Sequence, residues 1–500
     1  MEKINTETIP VFVSHVTKRL QDAGFEAWLV GGCVRDMLMN RTPKDWDIAT
    51  NAKPEEVQSV FKDNRTVAEN LFGTVTVLNM PVATESRDGE APDLNNQVQI
   101  TTYRSDGSYS DNRRPDQVSY ETKLEKDLER RDFTINAIAY DPIKDNIKDI
   151  FEGIKDIKDK TIRTVRDPRD RFSEDALRLL RAVRFSSELG FAISHETLEA
   201  ISQNSELLSH ISKERIRDEF IKVVNSTMPA QGISLMQKTG LLTHVIPELL
   251  EGVGCEQKGE HVYDVFDHLL HAVQHSADKE FATHVRLAAL FHDIGKPATR
   301  RYDRTKDKYT FFGHEVVGAR MTKAILDRLH FSRETVTRVT SLVRNHMFFS
   351  DTEKITLSAV RRIIRNVGPE NIWDLMQVRE CDRVGMKKKE APYRLRKYHA
   401  MIEEALRDPI TVGMLKIDGE RLKEMGETPG PKFGFVLHSL LEEVLDDPKL
   451  NAEEYLEKRA KELLALPVEE LKKLGEAGRE KREEVEGKEI EKLRGKHGVK

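Results

Sequence analysis

The pattern of apolar and polar positions opens with a helical repeat over residues 9–23, where Val11, Val13, Val16 and Leu20 are expected to face a core. Residues 25–30 are short and apolar, as a buried strand requires, and Gly31-Gly32 then permits a tight turn. Residues 44–49 read as the next strand. Side chains alternate along a strand, so Asp45 and Asp47 should share one face and Trp46 the other. The run Thr50-Asn51-Ala52-Lys53-Pro54-Glu55-Glu56 has the polar cap, early proline and first-turn acids of a helix start. Residues 72–78 and 98–104 alternate like the two strands of a hairpin, with the polar stretch 81–97 as an exposed loop at its end. Residues 172–185 predict one amphipathic helix. Ala176, Leu179, Leu180 and Val183 form its apolar stripe, and Asp175, Arg178, Arg181 and Arg184 lie on the complementary face. The pattern stays helical from about 190 to 255, with Gly190, Gly232 and Gly240 as expected stops. Beyond about 466, Glu, Lys and Arg dominate, which reads as an exposed helix or a disordered tail.

At 500 residues the chain is long enough for three or four domains, and 38% hydrophobic with 33% charged residues describes a soluble, helix-rich protein. A net charge of -5 excludes a uniformly basic surface, so any nucleic acid must be held on local basic patches. Cys33, Cys255 and Cys381 lie far apart and fit no metal spacing, which points to a reducing compartment and hence the cytoplasm. The N-terminus has no apolar leader, and no segment is long enough to span a bilayer, so no membrane partner is expected.

Up to residue 178, four groups of residues carry candidate chemistry. Gly31 and Gly32 leave backbone amides free to approach a triphosphate, and Arg35 adds a cation nearby. Asp45 and Asp47 repel each other unless a divalent cation sits between them, and Mg²⁺ with phosphate oxygens and water suits that pair. Either feature alone fits a plain turn or a solvated acidic strand; together they favour a nucleotide site. Arg131 could hold phosphate oxygens and Asp132 could accept a hydrogen bond from a ribose 2′-hydroxyl, although a charged helix start would look the same. Asp175 beside Arg178 offers an acceptor next to a donor. That pair suits cytosine and adenine, which present an amino group next to an unprotonated ring nitrogen, and mismatches guanine and uracil. An i,i+3 salt bridge is the plainer alternative.

Further along, His268, His292, Asp293, His314, His346 and Asp382 bring histidine and aspartate from several helices, a donor set for Mg²⁺, Mn²⁺, Fe or Ni. Such a site can activate water for phosphate-ester hydrolysis. Lys387-Lys388-Lys389 and Arg394-Leu395-Arg396-Lys397-Tyr398 form a basic patch suited to an RNA backbone or to a solvated helix face. The Gly/Pro turn around Gly430, with Lys432 beside it, opens a helix and offers amides to a phosphate.

The run from Val30 through Asp47 resembles the signature of the polymerase-β-like nucleotidyltransferases. Within them it is most similar to the class II tRNA nucleotidyltransferases (CCA-adding enzymes) and the bacterial poly(A) polymerases. Arg130-Arg131-Asp132-Phe133-Thr134-Ile135-Asn136-Ala137 and Glu174-Asp175-Ala176-Leu177-Arg178 resemble two further motifs of that family, and His292-Asp293 before Gly295-Lys296-Pro297 resembles the HD superfamily. The resemblance implies an α+β chain, with a polymerase-β-like mixed α/β nucleotidyltransferase head followed by all-helical neck, body, HD and tail domains. The implied boundaries are 1–150 for the head, 151–255 for the neck and body with the base-recognition helix, 256–395 for the HD domain, 396–465 for an RNA-binding tail, and 466–500 for a charged tail.

By the same resemblance Asp45 and Asp47 are catalytic Mg²⁺ ligands. Gly31, Gly32, Arg35, Arg131, Asp132, Asp175, Arg178, Arg181 and Arg184 contact the nucleotide, and Gly430 and Lys432 contact RNA. His268, His292, Asp293 and Asp382 hold a second divalent metal, and His314 and His346 could hold a further ion. The stretch 104–115 resembles a flexible loop linked to addition of the final A. The resemblance also places a third carboxylate at Gln99, which cannot ionise. The implied partners are tRNA, ATP and CTP, with no DNA, in a monomer or homodimer. The alternatives are a poly(A) or A-adding enzyme, or an HD phosphohydrolase whose head only binds RNA.

Overall fold

The computed structural model describes residues 4, 6–69, 73–78, 97–106, 118–257, 262–304, 308–347, 355–385, 392–426 and 429–471. They fall in two compact units, Met1–Val245 and Ile246–Lys500.

The first unit is organised on a seven-stranded mixed sheet. Its strands include β1 (Ala27–Val30), β2 (Asp47–Thr50), β3 (Arg65–Glu69), β4 (Thr74–Leu78) and β5 (Gln97–Thr102), and the order is β3-β4-β5-β2-β1 followed by Ala139–Asp141 and Asn146–Lys148. β2 and β5 run parallel with Asp47 beside Gln99, and β4 pairs antiparallel with β5, with Thr76 on the other side of Gln99. One face of the sheet packs on Val30, Ala49, Tyr103, Leu124, Leu128 and Ala139.

The first helix, Val11–Asp22, buries Val13, Val16 and Leu20 as its periodicity predicts. Val11 is a correction, because it is 58% exposed. It lies about 200° round the helix from Val13 and so points away from the buried face. The second strand also begins later than expected. Residues 44–45 bend, Asp45 is exposed, and ladder bonding starts where the Gln99 amide donates to the Trp46 carbonyl at 3.0 Å. The expected hairpin is the β4–β5 pair, and its polar connection lies outside the described residues up to Gln97. Of the stretch 104–115, Arg104–Asp106 pairs with Val118–Tyr120 and the remainder lies outside the described residues.

The amphipathic segment 172–185 is two helices, Pro168–Glu174 and Leu177–Leu189, where one was expected. Asp175 is extended between them, and its Oδ1 accepts the Leu177 amide at 3.1 Å. A short acidic side chain that bonds a backbone amide two residues on competes with helix continuation, and here it wins. The apolar stripe survives the break: Ala176, Leu179, Leu180 and Val183 are fully buried, and full burial contributes about 1.5–3 kcal/mol for each of the three larger side chains.

Gly190 and Gly240 stop helices with left-handed backbone, as expected. Gly232 does not. It sits inside helix Pro229–Lys238, where a Cβ would meet Ser187 Oγ at 2.2 Å and Val223 Cγ1 at 2.6 Å, so its small size serves helix contact. A short parallel strand pair, Thr161–Ile162 with Ala192–Ile193, interrupts the helices of this unit.

Among its described residues the second unit is helical apart from the ribbon Arg301–Asp303 with Lys308–Thr310. Five helices, Val265–Asp278, Thr283–Phe291, His314–Arg328, Arg333–Asn345 and Ile372–Asp382, frame its centre, and Leu357–Val367, Pro392–Ala405, Pro431–Asp446 and Glu453–Leu464 follow or flank them. In the expected basic patch Arg396 and Lys397 are exposed and Tyr398 is buried, while 387–389 lie outside the described residues. The tail beyond residue 471 is likewise outside them. No described helix is long and apolar enough to cross a membrane.

Candidate functional site

In the first unit, β1 delivers the chain to Gly31, whose φ of +78° permits the turn into helix Gly32–Leu38. A Cβ on Gly31 would lie 3.1 Å from Arg131 Nη1 and 3.7 Å from Asp47 Oδ2. Residues separated by a hundred positions thus converge on one spot. Burial raises the Asp47 carboxyl above its usual range; the Arg131 charge opposes this and the Asp45 charge reinforces it. A buried Asp47 with the Asp45 charge nearby suits a divalent cation, and neutral Gln99 lies beside Asp47 on the neighbouring strand.

Arg131 is aimed by Asp127, a fully buried carboxylate that accepts from Arg131 Nη2 at 3.0 Å and from Arg130 Nε at 2.9 Å. Arg35 lies beside Gly32 but is engaged by protein groups, donating to Asn136 Oδ1 at 2.8 Å and to Asp36 Oδ1.

The remaining nucleotide-binding candidates have partners that the sequence did not reveal. Asp132 is buried, with Oδ1 taking the Phe133 amide and Asn136 Nδ2, and Oδ2 taking Arg181 Nε at 2.8 Å. Burial would raise this carboxyl, but Arg181 outweighs burial and holds it well below the usual carboxylate range. Its acceptors are therefore filled by protein donors, a correction to the expected open ribose contact. Arg184 is likewise withdrawn into a buried ion pair with Glu219, Nη1 to Oε2 2.9 Å.

Asp175 and Arg178 are not bonded to each other. Asp175 accepts from Arg215 Nη2 at 3.0 Å, while Arg178 donates to Glu174 Oε2 at 2.7 Å, to the Arg171 carbonyl at 3.0 Å and to the Arg130 carbonyl at 3.3 Å. The break at Asp175 removes the helical neighbourhood that would have paired them.

In the second unit the six expected residues do come together. His268 Nε2 and His292 Nε2 are 3.0 Å apart, both lie 3.3 Å from Asp293 Oδ2, and Asp382 Oδ1 is 3.6 and 3.5 Å from them. Asp293 turns its other oxygen to His314 Nε2 at 3.2 Å and His346 Nε2 at 3.6 Å. Two overlapping groups of possible metal donors result, His268-His292-Asp293-Asp382 and Asp293-His314-His346, sharing Asp293.

The donor chemistry fits a cation. His292, His314 and His346 each use Nδ1 to bond a backbone carbonyl three residues earlier, at 2.9, 2.8 and 2.7 Å, which leaves Nε2 lone pairs facing the cluster. Burial opposes charge on His292, but Asp293 and Asp382 hold it up to about 10, so a cation bound at its Nε2 would displace that proton, whereas burial lowers His346. The approach of these elements depends on small residues: a Cβ on Gly295 would lie 2.3 Å from the His314 carbonyl and 2.5 Å from the Gly318 amide. Sequence reading missed Lys296 as part of this site. It is buried, its Nζ donates to Gln257 Oε1 at 2.6 Å, and it pairs with Asp293. Its place directly after Gly295 in the motif was the available signal.

In the tail segment, Gly430 precedes helix Pro431–Asp446 as expected, but Lys432 Nζ donates to the Leu464 carbonyl at the end of helix Glu453–Leu464. That occupation replaces the free ammonium expected beside the turn.

Residues 27–163 match the poly A polymerase head domain family, 190–252 the probable RNA and SrmB-binding site of polymerase A, and 259–386 the HD domain family. A CCA-adding enzyme of Lactobacillus johnsonii is 44% identical over 246 residues, which cover 49% of this chain and 56% of that protein. One from Lactobacillus helveticus is 48% identical over 208 residues, covering 42% and 48%. The chain thus spans about half the length of the curated relatives it matches. Among solved structures, a Bacillus stearothermophilus CCA-adding enzyme in complex with CTP superposes with a TM-score of 0.67 at 27% identity, over 90% of this chain and 97% of that one. A Thermotoga maritima CCA-adding enzyme complexed with tRNA shares the fold, with a TM-score of 0.54 at 20% identity over 92% and 97% of the two chains.

Proposed function

Because the chain belongs to the nucleotidyltransferase family that joins the poly A polymerase head to CCA-adding enzymes, we propose that it adds C, C and A to tRNA 3′ ends from CTP and ATP, without a nucleic-acid template and with release of pyrophosphate. The observation that carries this reading is the convergence of Gly31, Asp47 and Arg131 on one spot, with Arg178 bonded to the backbone of the neighbouring Arg130. In this reading 1–150 is the catalytic head, 151–255 the base-reading neck, 256–395 the HD domain, 396–465 the RNA-binding tail and 466–500 a charged extension.

Asp45 and Asp47 would hold a divalent cation, Mg²⁺ in our reading, whose chemistry is to neutralise charge on the transferring phosphate. Arg131, oriented by Asp127, grips the triphosphate, and Gly31 keeps the room it needs. Asp175 and Arg178 supply an acceptor and a donor to the base edge when the nucleotide replaces Arg215 beside Asp175 and takes an Arg178 N–H other than the one held by Glu174. Arg181, braced by Asp132, keeps the neck helix against the head motif. The RNA 3′-hydroxyl then attacks the α-phosphate. The reaction belongs in the cytoplasm, where tRNA and nucleotides meet.

A second reading is supported by a separate observation, the buried His/Asp cluster of the second unit. There His268, His292, Asp293 and Asp382 would hold a divalent metal, with His314 and His346 available to a further ion, and would hydrolyse a phosphate ester.

The test is 3′-end sequencing of a tRNA transcript lacking CCA after incubation with the protein, Mg²⁺ and all four NTPs. Products ending at CCA support the main reading, and Asp45→Ala should then lower addition by about 10³-fold or more while leaving any hydrolysis intact. A single A or an A tract would move the activity to a poly(A) or A-adding enzyme. Absence of extension, with ester hydrolysis lost in Asp293→Ala, would assign the chain to the second reading.

A further inference from the structure

Among the described residues Arg171 is the largest fully buried side chain, 1% exposed, and it lies outside the Arg130–Ala137 and Glu174–Arg178 motifs. Its guanidinium spans two parts of the proposed nucleotide site. Nη2 donates to the carbonyl of Arg130 and, at 2.9 Å, to that of Arg131, while Nη1 donates to Glu174 Oε2. The same Glu174 oxygen takes Arg178 Nη1 at 2.7 Å, and Arg178 also bonds the Arg171 carbonyl and the Arg130 carbonyl. One planar fork thus ties the backbone that carries the phosphate-gripping Arg131 to the side chain that meets the base.

Arg130, Arg131, Arg166, Arg171 and Arg178 interlock with Asp127, Glu129 and Glu174, so the phosphate-gripping and base-facing arginines share one charged network. Burial, together with the Arg178 charge, pushes the Arg171 guanidinium down to about 10 against the pull of Glu174, so it remains charged at neutral pH. A lysine cannot reproduce the arrangement, because a point charge on a flexible stem cannot make the same set of in-plane bonds.

We propose that Arg171 is a positioning residue that fixes the distance between the phosphate grip at Arg131 and the base reader at Arg178, and so sets the discrimination between nucleotides. The inference rests on the reading of the first unit as a CTP- and ATP-using site. A nucleotide is accepted when its phosphates and its base edge satisfy both ends at once. Loosening the tie lets a wrong base tilt and still hold its phosphates, so selectivity should fall more than overall binding does.

The experiment compares the full-length protein with Arg171→Lys and Arg171→Met. It measures Kd for CTP and UTP by calorimetry, kcat and KM for single-nucleotide addition, and thermal melting as a folding control. The proposal expects Arg171→Lys to stay folded, with its CTP-over-UTP ratio, in Kd and in kcat/KM, reduced about tenfold or more. It also expects kcat for CTP to change less than that ratio. A variant that melts as the parent and keeps the parent's ratio, or loses CTP and UTP equally, would overturn it. If Arg171→Met does not fold, Glu174→Gln, which cuts the other end of the same tie, must reproduce the loss of ratio, and an unchanged ratio there overturns the proposal. A parent protein that binds CTP over UTP but extends no RNA would sink the proposed activity alone, the binding ratio still deciding for or against Arg171. A parent that binds neither selectively would overturn both.

Discussion

At the scale of single residues, the neck is held by charged side chains whose partners lie far away in the chain. Asp132 and Arg181 are the plainest case, a buried carboxylate and a guanidinium that satisfy each other and brace the family motif at 130–137 against helix Leu177–Leu189. Because the folded carboxyl is depressed, the stability it contributes is fully present above its unfolded value of 3.8 and is lost as pH falls through the lower folded value. Asp132→Asn should therefore cost about 1–3 kcal/mol at neutral pH, since Arg181, partly exposed and also near Glu219, loses its charged partner. Urea unfolding of parent and variant from pH 8 to pH 3 checks this. The gap should hold steady down to about pH 5 and narrow below pH 4, and a gap that widens on acidification would contradict the pairing.

At the scale of elements, close approach between helices is secured by the absence of a side chain. Gly232 lies against Ser187, which is fully buried and bonded to the Val183 carbonyl at 2.9 Å, so neither partner can step aside. Gly232→Ala should destabilise the first unit by about 1–3 kcal/mol through overpacking, read as a lower denaturation midpoint at unchanged m-value. Adding Ser187→Gly should recover part of the loss, and a neutral single variant would refute the contact. The pattern of apolar positions could not separate this glycine from Gly190 or Gly240, which do end helices. All three interrupt a helical repeat in the sequence, and only the neighbour across the contact distinguishes packing from termination. The break at Asp175 was hidden for a related reason. The stripe Ala176, Leu179, Leu180 and Val183 keeps its period, while a single side-chain bond to the Leu177 amide redirects the backbone just before it.

For the molecule as a whole, the two compact units carry two different kinds of candidate cation site. The first has Asp47 beside a neutral Gln99 with the Asp45 charge nearby, whereas the second has overlapping donor groups that share Asp293. A cation held by the second set would bind the folded state only, and at a hundred times its Kd would contribute about 2.7 kcal/mol. Removing divalent metal with a chelator should accelerate hydrogen exchange in helices Val265–Asp278 and Ile372–Asp382 and leave β1 and β2 unchanged. Restoring Mn²⁺ should reverse the effect in the parent and fail in Asp293→Asn. A change spread evenly over both units, or none, would argue against a resident metal at the cluster.

What the sequence determined by itself was local. The apolar run into Gly31, the Asp45-Trp46-Asp47 spacing, the buried stripe of the neck and the His292-Asp293 doublet are all legible there. Strand alternation, helical period and glycine freedom act over a few residues and leave their mark on neighbouring letters. Only the tertiary structure decided which charges meet. Asp175 bonds Arg215, Arg178 bonds Glu174, Arg184 bonds Glu219 and Lys432 caps the end of another helix, although each side chain had an equally plausible use nearby in the sequence. Long polar side chains reach several ångströms, and their choice among partners depends on distances set by packing between remote elements, which no local pattern encodes.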